Sequence, residues 1–354
     1  MIPLELSKKI LSIGPDYSTP RGGMAQVLSY YDTSVYEQFQ AIANSCEGNR
    51  LKKLFCLLKS TVKTCWTLFR NKSIEIVHIH TASRRSYHRS VFFARVAKLF
   101  NRKVVMHIHG GGFLDYYHRD KSFVDNSRKY CDAFVALSEN WKAVFEQQLS
   151  FNPVFVVNNV VPRPNINSCA KDNAIHLLFL GLITQTKGIY DLVNVVIEHH
   201  QAWSGKLVIH VGGNGEVEKF CELIKANHLD DIIVYEGWVS GNKRDDLFNK
   251  CDVFLLPSYV EGLPISILEA MSYGMFVIST RVGAIPSIVK EKENSVLIDA
   301  GNGEDLFCAI DDIVNGKYNM SHVAEVSKAM VKPYYPDGVA TQLTQLYELV
   351  LAKL

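Results

Sequence analysis

Several familiar signatures are missing from this chain of 354 residues. There is no Gly-x-Gly-x-x-Gly turn, so the sequence offers no dinucleotide fingerprint and a dehydrogenase reading lacks its first requirement. There is no Gly-x-x-x-x-Gly-Lys-Ser/Thr phosphate loop either. No stretch reaches the ~18 continuous apolar residues of a membrane span. The apolar run Ile10-Leu11-Ser12-Ile13 is too short and too interrupted for a secretion signal. None of the eight cysteines (Cys46, Cys56, Cys65, Cys131, Cys169, Cys221, Cys251 and Cys308) belongs to a Cys-x-x-Cys pair or stands near a histidine at zinc-ligand spacing. The expectation is a cytoplasmic protein with reduced thiols, no metal and no cofactor. Low-complexity tracts are absent too. Charged residues make up 21% and hydrophobic ones 47%, a balance that folds rather than stays disordered.

Net charge is also nearly absent, at +2, but the sum conceals an asymmetry. Residues 1–160 carry 22 Lys/Arg and 12 Asp/Glu, a net of +10; the remainder carries 16 and 24, a net of −8. A near-neutral total gives no reason to expect a nucleic-acid partner.

What is present is an alternation of short apolar runs and helical spacing. Strand-like runs fall at Lys9–Ile13, Ile74–His80, Val104–His109, Ala133–Leu137 and Val154–Val157. A second series follows at Ile175–Leu180, Leu207–Val211, Ile232–Tyr235, Val253–Leu256, Phe276–Ser279 and Val296–Ile298. Helical segments such as Val91–Phe100 and Trp141–Leu149 lie between runs. This predicts α/β architecture with parallel sheets. The polar stretch Asn158–Asn173, with Pro162 and Pro164, reads as a linker. Two Rossmann-like domains are expected, 1–160 and 161–336, with a C-terminal helix over 337–354 packing back on the first. Ligands of such sheets bind beyond the carboxyl ends of the strands, and two facing domains would share a cleft there.

The densest motif follows the run Val253–Leu256. It reads Pro257-Ser258-Tyr259-Val260-Glu261-Gly262-Leu263-Pro264, then Ile265 through Glu269-Ala270-Met271. Pro264 suits the first position of a helix and Gly274 its end. Backbone amides of Gly262 and Leu263 at the positive end of that helix can hold a diphosphate, and a carboxylate beside them can accept from sugar hydroxyls.

This stretch resembles the Glu-x7-Glu region of glycosyltransferase family 4, retaining enzymes of the GT-B fold. The similarity extends over most of the chain. Phe276 to Pro286 is similar to the family's next strand and turn. Phe179-Leu180-Gly181 with Thr186-Lys187-Gly188 resembles its donor-phosphate loop, Gly212-Gly213-Asn214-Gly215 its glycine turn beside the nucleotide, and Glu236-Gly237-Trp238-Val239 the segment facing the base. In the first half, Gly14 with Pro20-Arg21-Gly22-Gly23 resembles the glycine loop, and His107-Ile108-His109-Gly110-Gly111 the histidine-glycine turn.

The resemblance implies a retaining hexosyltransferase that uses a UDP- or GDP-sugar and a saccharide acceptor, lipid-linked, in bacterial surface-polysaccharide synthesis. It assigns Glu261 to the sugar hydroxyls, Glu269 to the ribose, Lys187 with the Gly262 and Leu263 amides to the departing diphosphate, and His109 to the transferred sugar. His107 competes with His109 for that place, and His80 is a weaker acceptor-side candidate. Gly22, Gly23, Gly181, Gly213 and Val239 complete the donor set. One departure stands out: Leu182 occupies a position where the family often has Arg, and Arg21 or Arg84 would have to replace that cation. The cluster Arg84, Arg85, His88 and Arg89 reads equally as an acceptor-phosphate site or a wet surface. Two rivals stay open: a catalytically weak scaffold that binds a partner transferase, and a glycosidase using Glu261 and Glu269 as acid and base.

Residues 50–72 carry seven basic residues and no acid, with apolar residues Leu51, Leu54, Phe55, Leu58, Val62, Cys65, Trp66 and Phe69 at helical spacing. The plain reading is a helix that packs this stripe on the sheet and turns a basic face to water. The sharper one is docking on the anionic inner face of the plasma membrane.

Overall fold

The computed structural model describes residues 1–18, 22–46, 48–167 and 172–352. Two parallel six-stranded sheets account for the strands of the two series. The first contains β1 (Ile10–Pro15), β2 (Ala41–Ser45), β3 (Ile76–Thr81), β4 (Lys103–Ile108), β5 (Ala133–Ala136) and β6 (Val154–Val156), in the order β2-β1-β3-β4-β5-β6. The second contains β7 (Ile175–Leu180), β8 (Leu207–Gly212), β9 (Ile233–Gly237), β10 (Val253–Leu256), β11 (Phe276–Thr280) and β12 (Ser295–Ile298), in the order β12-β11-β10-β7-β8-β9. Central strands such as β3 and β10 are buried throughout, as expected for sheets covered on both faces.

Strand β2 was not legible in the sequence. Its five residues, Ala-Ile-Ala-Asn-Ser, hold one β-branched apolar side chain and two small ones. It is an edge strand whose pairing with β1, Ser12 to Ala41 through Gly14 to Ala43, does what its composition does not announce.

The chain divides into two compact units, Met1–Pro162 with Pro333–Leu354, and Arg163–Lys332. The helix Pro336–Ala352 therefore belongs to the first unit. Within it, Asn158 and Gln342 exchange two hydrogen bonds, Asn158 N to Gln342 Oε1 at 2.9 Å and Gln342 Nε2 to Asn158 Oδ1 at 2.8 Å. Val161 N donates to Tyr334 O at 3.0 Å.

The helix Arg50–Arg70 overturns one expectation. It starts as predicted, with Asn49 Oδ1 accepting from Lys52 N at 2.9 Å. Yet it packs on the sheet through Ser60, Thr64 and Leu68, with Leu57 partly buried. Leu51, Leu54, Phe55, Leu58, Val62, Trp66 and Phe69 are 54–77% exposed. Helical periodicity located the apolar stripe correctly, but periodicity does not say which stripe meets the sheet.

Candidate functional site

In the second unit, three loops that follow strands are tied to one another by their backbones. Tyr259 N, after β10, donates to Thr186 O, after β7, at 3.0 Å. Ala284 N, after β11, donates to Gly262 O at 2.8 Å, and Thr280 Oγ1 donates to Ser258 O at 2.6 Å. Two glycines allow this closeness. Gly188 has φ +71°, and a Cβ there would stand 2.0 Å from Pro257 O. Gly283 has φ +58°, and its Cβ would stand 2.1 Å from Glu261 O. Any L side chain at these positions would push the loops apart.

The clamp brings Lys187 and Glu261 together, 74 positions apart in sequence. The Lys187 ammonium forms an ion pair with Glu261 Oε1, and both side chains are mostly buried. The buried Ser258 hydroxyl donates to the same oxygen at 2.8 Å. The pair sits at the carboxyl edge of β7 and β10. Glu269 is buried in the helix Ile265–Tyr273 and pairs with Arg244 at 3.0 Å. Each carboxylate thus has a cation of its own. Pro264 is the N-cap of that helix rather than its first residue, and Gly274 closes it in the left-handed conformation.

The neighbouring loops form a second cluster. Gly181 N donates to Gly212 O at 3.1 Å, Gly213 N to Gly237 O at 2.9 Å and Ile183 N to Asn214 O at 2.7 Å. A Cβ on Gly213 would lie 1.8 Å from Gly181 O, and one on Gly212 would lie 2.6 Å from Val239 Cγ2. Gly181, Gly213 and Val239 are therefore neighbours, while Leu182 beside them is exposed. Beneath this cluster runs a chain that sequence reasoning missed. Asp172 meets His176 at 2.9 Å, His176 meets His210 at 3.0 Å, and His210 meets Glu236 at 2.8 Å. Lys243 closes it with an ion pair to Glu236 at 2.9 Å. Burial alone would raise the Glu236 carboxyl, but the hydrogen bonds from Lys243 and His210 outweigh it and hold the group below its ordinary range. The chain fixes Glu236 beside Gly237-Trp238-Val239. Arg244 was missed as well, because a lone arginine in a polar helix carries no sequence signal.

The first unit gathers four histidines. His78 and His80 share one face of β3, His107 stands opposite His80 on β4, and His109 follows β4. His78 Nε2 lies 3.2 Å from His107 Nδ1, and His80 Nδ1 lies 3.0 Å from His109 Nε2. His78 Nδ1 meets the Tyr347 hydroxyl, which in turn meets that of Tyr36. Burial depresses all four imidazoles: His78 falls to about 3, His109 to about 4, and His80 and His107 well below their ordinary value. They are neutral at pH 7, so His109 can exchange hydrogen bonds with a hydroxyl but brings no cation. His78, His80 and His107 offer nitrogens within 4.8 Å of one another. The His78 ring stacks on His80 at 4.4 Å and lies within 11° of the His107 plane. Imidazole lone pairs lie in the ring plane, so near-parallel rings share protons better than they converge on an ion.

Gly22 has φ +103° and caps the helix that begins at Gly23, after β1. Arg21 lies outside the described residues. Of the basic cluster after β3, Arg84 and Arg85 are exposed, whereas His88 pairs with Asp120 at 3.1 Å and stacks on Phe123.

Residues 174–315 match a family described as "Glycosyl transferases group 1". An uncharacterized glycosyltransferase of Haemophilus influenzae is 25% identical over 211 residues, which is 58% of this chain and 58% of that protein. An uncharacterized 41.2 kDa protein in the cps region of Klebsiella pneumoniae is 23% identical over 312 residues, 79% of this chain and 84% of that one. Among solved structures, Anabaena HepE in complex with UDP superposes with a TM-score of 0.74 at 15% identity, covering 98% of this chain and all of that one. The chain thus has the GT-B fold, and its residues 174–315 match the glycosyl transferases group 1 family.

Proposed function

We propose that this protein is a retaining hexosyltransferase of the family-4 kind, taking its sugar from a UDP- or GDP-linked donor. The observation that carries the reading is the Lys187–Glu261 pair, buried where the loops after β7 and β10 are tied, inside the group 1 domain. An ammonium there can neutralise a departing diphosphate, and the neighbouring carboxylate can accept from sugar hydroxyls. Glu269, held by Arg244, is the ribose contact; Gly181, Gly213 and Val239 surround the base and phosphates, with the Gly262 and Leu263 backbone; Gly22, Gly23 and His109 serve the sugar and acceptor side. HepE has been seen with UDP and glucose, which supports a UDP-linked donor. The acceptor in this reading is a saccharide, lipid-linked, in surface-polysaccharide synthesis, as the family resemblance implies. In the reaction the anomeric carbon leaves the diphosphate oxygen and bonds the acceptor oxygen on the same face. The acceptor proton goes to the donor phosphate.

The test is a thermal-shift panel of UDP- and GDP-sugars. A true donor at 100-fold excess over its Kd adds about 2.7 kcal/mol of apparent stability. Absence of any shift across the panel rejects the donor reading. The exposed Leu182, where the family it resembles often has arginine, favours one competitor: a weakly catalytic scaffold. Donor binding without turnover on any saccharide acceptor would decide for it.

A further inference from the structure

The exposed stripe of the Arg50–Arg70 helix is not an isolated oddity. Lys52, Lys59, Lys63 and Arg70 each follow a stripe residue or its helical neighbour, about 100° further round, so a basic line flanks the apolar one. The Arg70 guanidinium stands over the Trp66 ring at 5.4 Å and the Lys72 ammonium over Phe69 at 5.3 Å. The connections β2 to β3 and β3 to β4 run in the same direction along the sheet. Right-handed crossovers then put the helices Arg50–Arg70 and Arg85–Leu99 on one face, and the two touch. The second helix exposes Arg85, Phe92, Arg95 and Leu99 on its outer side. From residue 48 to residue 114 there are fourteen Lys/Arg and one acid, Glu75, which is already paired with Lys9 at 2.8 Å.

We propose that this face is a membrane-docking surface, seated in the headgroup and upper acyl region of an anionic phospholipid bilayer. Charge complementarity selects the occupant. A second copy docking through this same face would bring an equally basic surface against it, and like charges would oppose the contact. An anionic leaflet meets every lysine and arginine of the line at once and accepts the apolar stripe beneath them. Long basic side chains beside buried apolar ones keep their charged ends at headgroup level. The helix lies on the bilayer rather than across it, since no described helix is long and apolar enough to span. The packed line Ser60, Thr64 and Leu68 holds it to the sheet, so the stripe is displayed without any unfolding. All these residues belong to the first unit, and the surface stands independently of the donor reading.

The test is co-sedimentation of the full chain with vesicles of phosphatidylethanolamine and phosphatidylglycerol against phosphatidylcholine alone. Binding should favour the anionic vesicles and weaken with salt. Two variants divide the surface: Phe55→Ser with Val62→Ser and Trp66→Ser, and Lys52→Glu with Lys59→Glu and Lys63→Glu. Each should lower vesicle affinity about tenfold or more. Neither should change the melting temperature or the donor thermal shift, because every altered side chain is exposed. In the parent, Trp66 emission should move to shorter wavelength on anionic vesicles, and Trp66→Phe should lose that change. Failure to sediment with anionic vesicles, equal binding to phosphatidylcholine, or unchanged affinity in the serine variant each overturns the proposal. A concentration-dependent dimer abolished by the serine variant overturns it in favour of self-association.

Discussion

At the scale of single residues, the candidate site consists of matched partners. Lys187, Ser258 and Glu261 share one oxygen, so removing any of them disturbs the others. Lys187→Met leaves the Glu261 carboxylate mostly buried without its cation. We expect it to cost about 2–4 kcal/mol of stability and to abolish the donor thermal shift, whereas Glu261→Gln should keep the fold and lose the shift. Differential scanning fluorimetry with and without donor reads both. The histidine ladder makes a separate prediction. Free imidazoles in the unfolded chain protonate near pH 6.5, while His109 waits until about 4 and His78 until about 3. Between those values the unfolded state binds more protons, so stability is full above pH 6.5 and falls as pH drops toward 4. His109 and His78 contribute to this loss in the same direction, because burial depresses both. Melting temperature measured from pH 7.5 to 4 should fall accordingly, and His109→Gln should flatten part of the slope. The sequence named Lys187, Glu261 and His109 through their motifs. It could not name the His176–His210–Glu236 chain, made only when β7, β8 and β9 lie side by side, or Arg244, which meets Glu269 only when the helices Gly241–Lys250 and Ile265–Tyr273 come together.

At the scale of elements, what the sequence announces depends on how completely an element is buried. The inner strands β3, β4, β10 and β11 are buried almost throughout, β10 wholly apolar and β3 and β4 broken by histidines, and were read to within a few residues. The edge strand β2 was lost, since two alanines and an asparagine resemble a loop. The Arg50–Arg70 helix shows the complementary limit: its boundaries were plain and its orientation was not. Leu68→Ala should cost about 2–4 kcal/mol, because it opens a cavity under the helix. Phe55→Ser, thirteen positions earlier on the exposed side, should stay within about 0.5 kcal/mol. Urea denaturation of the two variants checks the contrast. The loop clamp adds a third expectation. Gly188→Ala must either leave the left-handed region or strike Pro257 O, so it should be destabilising by more than about 2 kcal/mol and should weaken donor binding with it.

At the scale of the whole molecule, assigning the last helix to its unit revises the charge balance. The first unit then carries 23 Lys/Arg and 14 Asp/Glu, a net of +9, and the second 15 and 22, a net of −7. Under the proposed function a donor diphosphate would approach a unit of its own sign, and groups within a Debye length of about 8 Å, Lys187 first, would set the local potential. The Pro336–Ala352 helix contributes Tyr347, whose hydroxyl joins Tyr36 to His78 in the interior. Tyr347→Phe should cost about 1–3 kcal/mol by leaving two buried polar groups short of a partner. The same assignment has a consequence for how the protein is made. The second unit is a continuous segment, residues 163–332, interrupting the first. On a ribosome it can close as soon as its own residues have emerged, while the first waits for its final helix. Until residues 336–352 appear, His78 lacks the Tyr347 hydroxyl that partners it, so the first unit completes its interior only after the whole of the second has emerged.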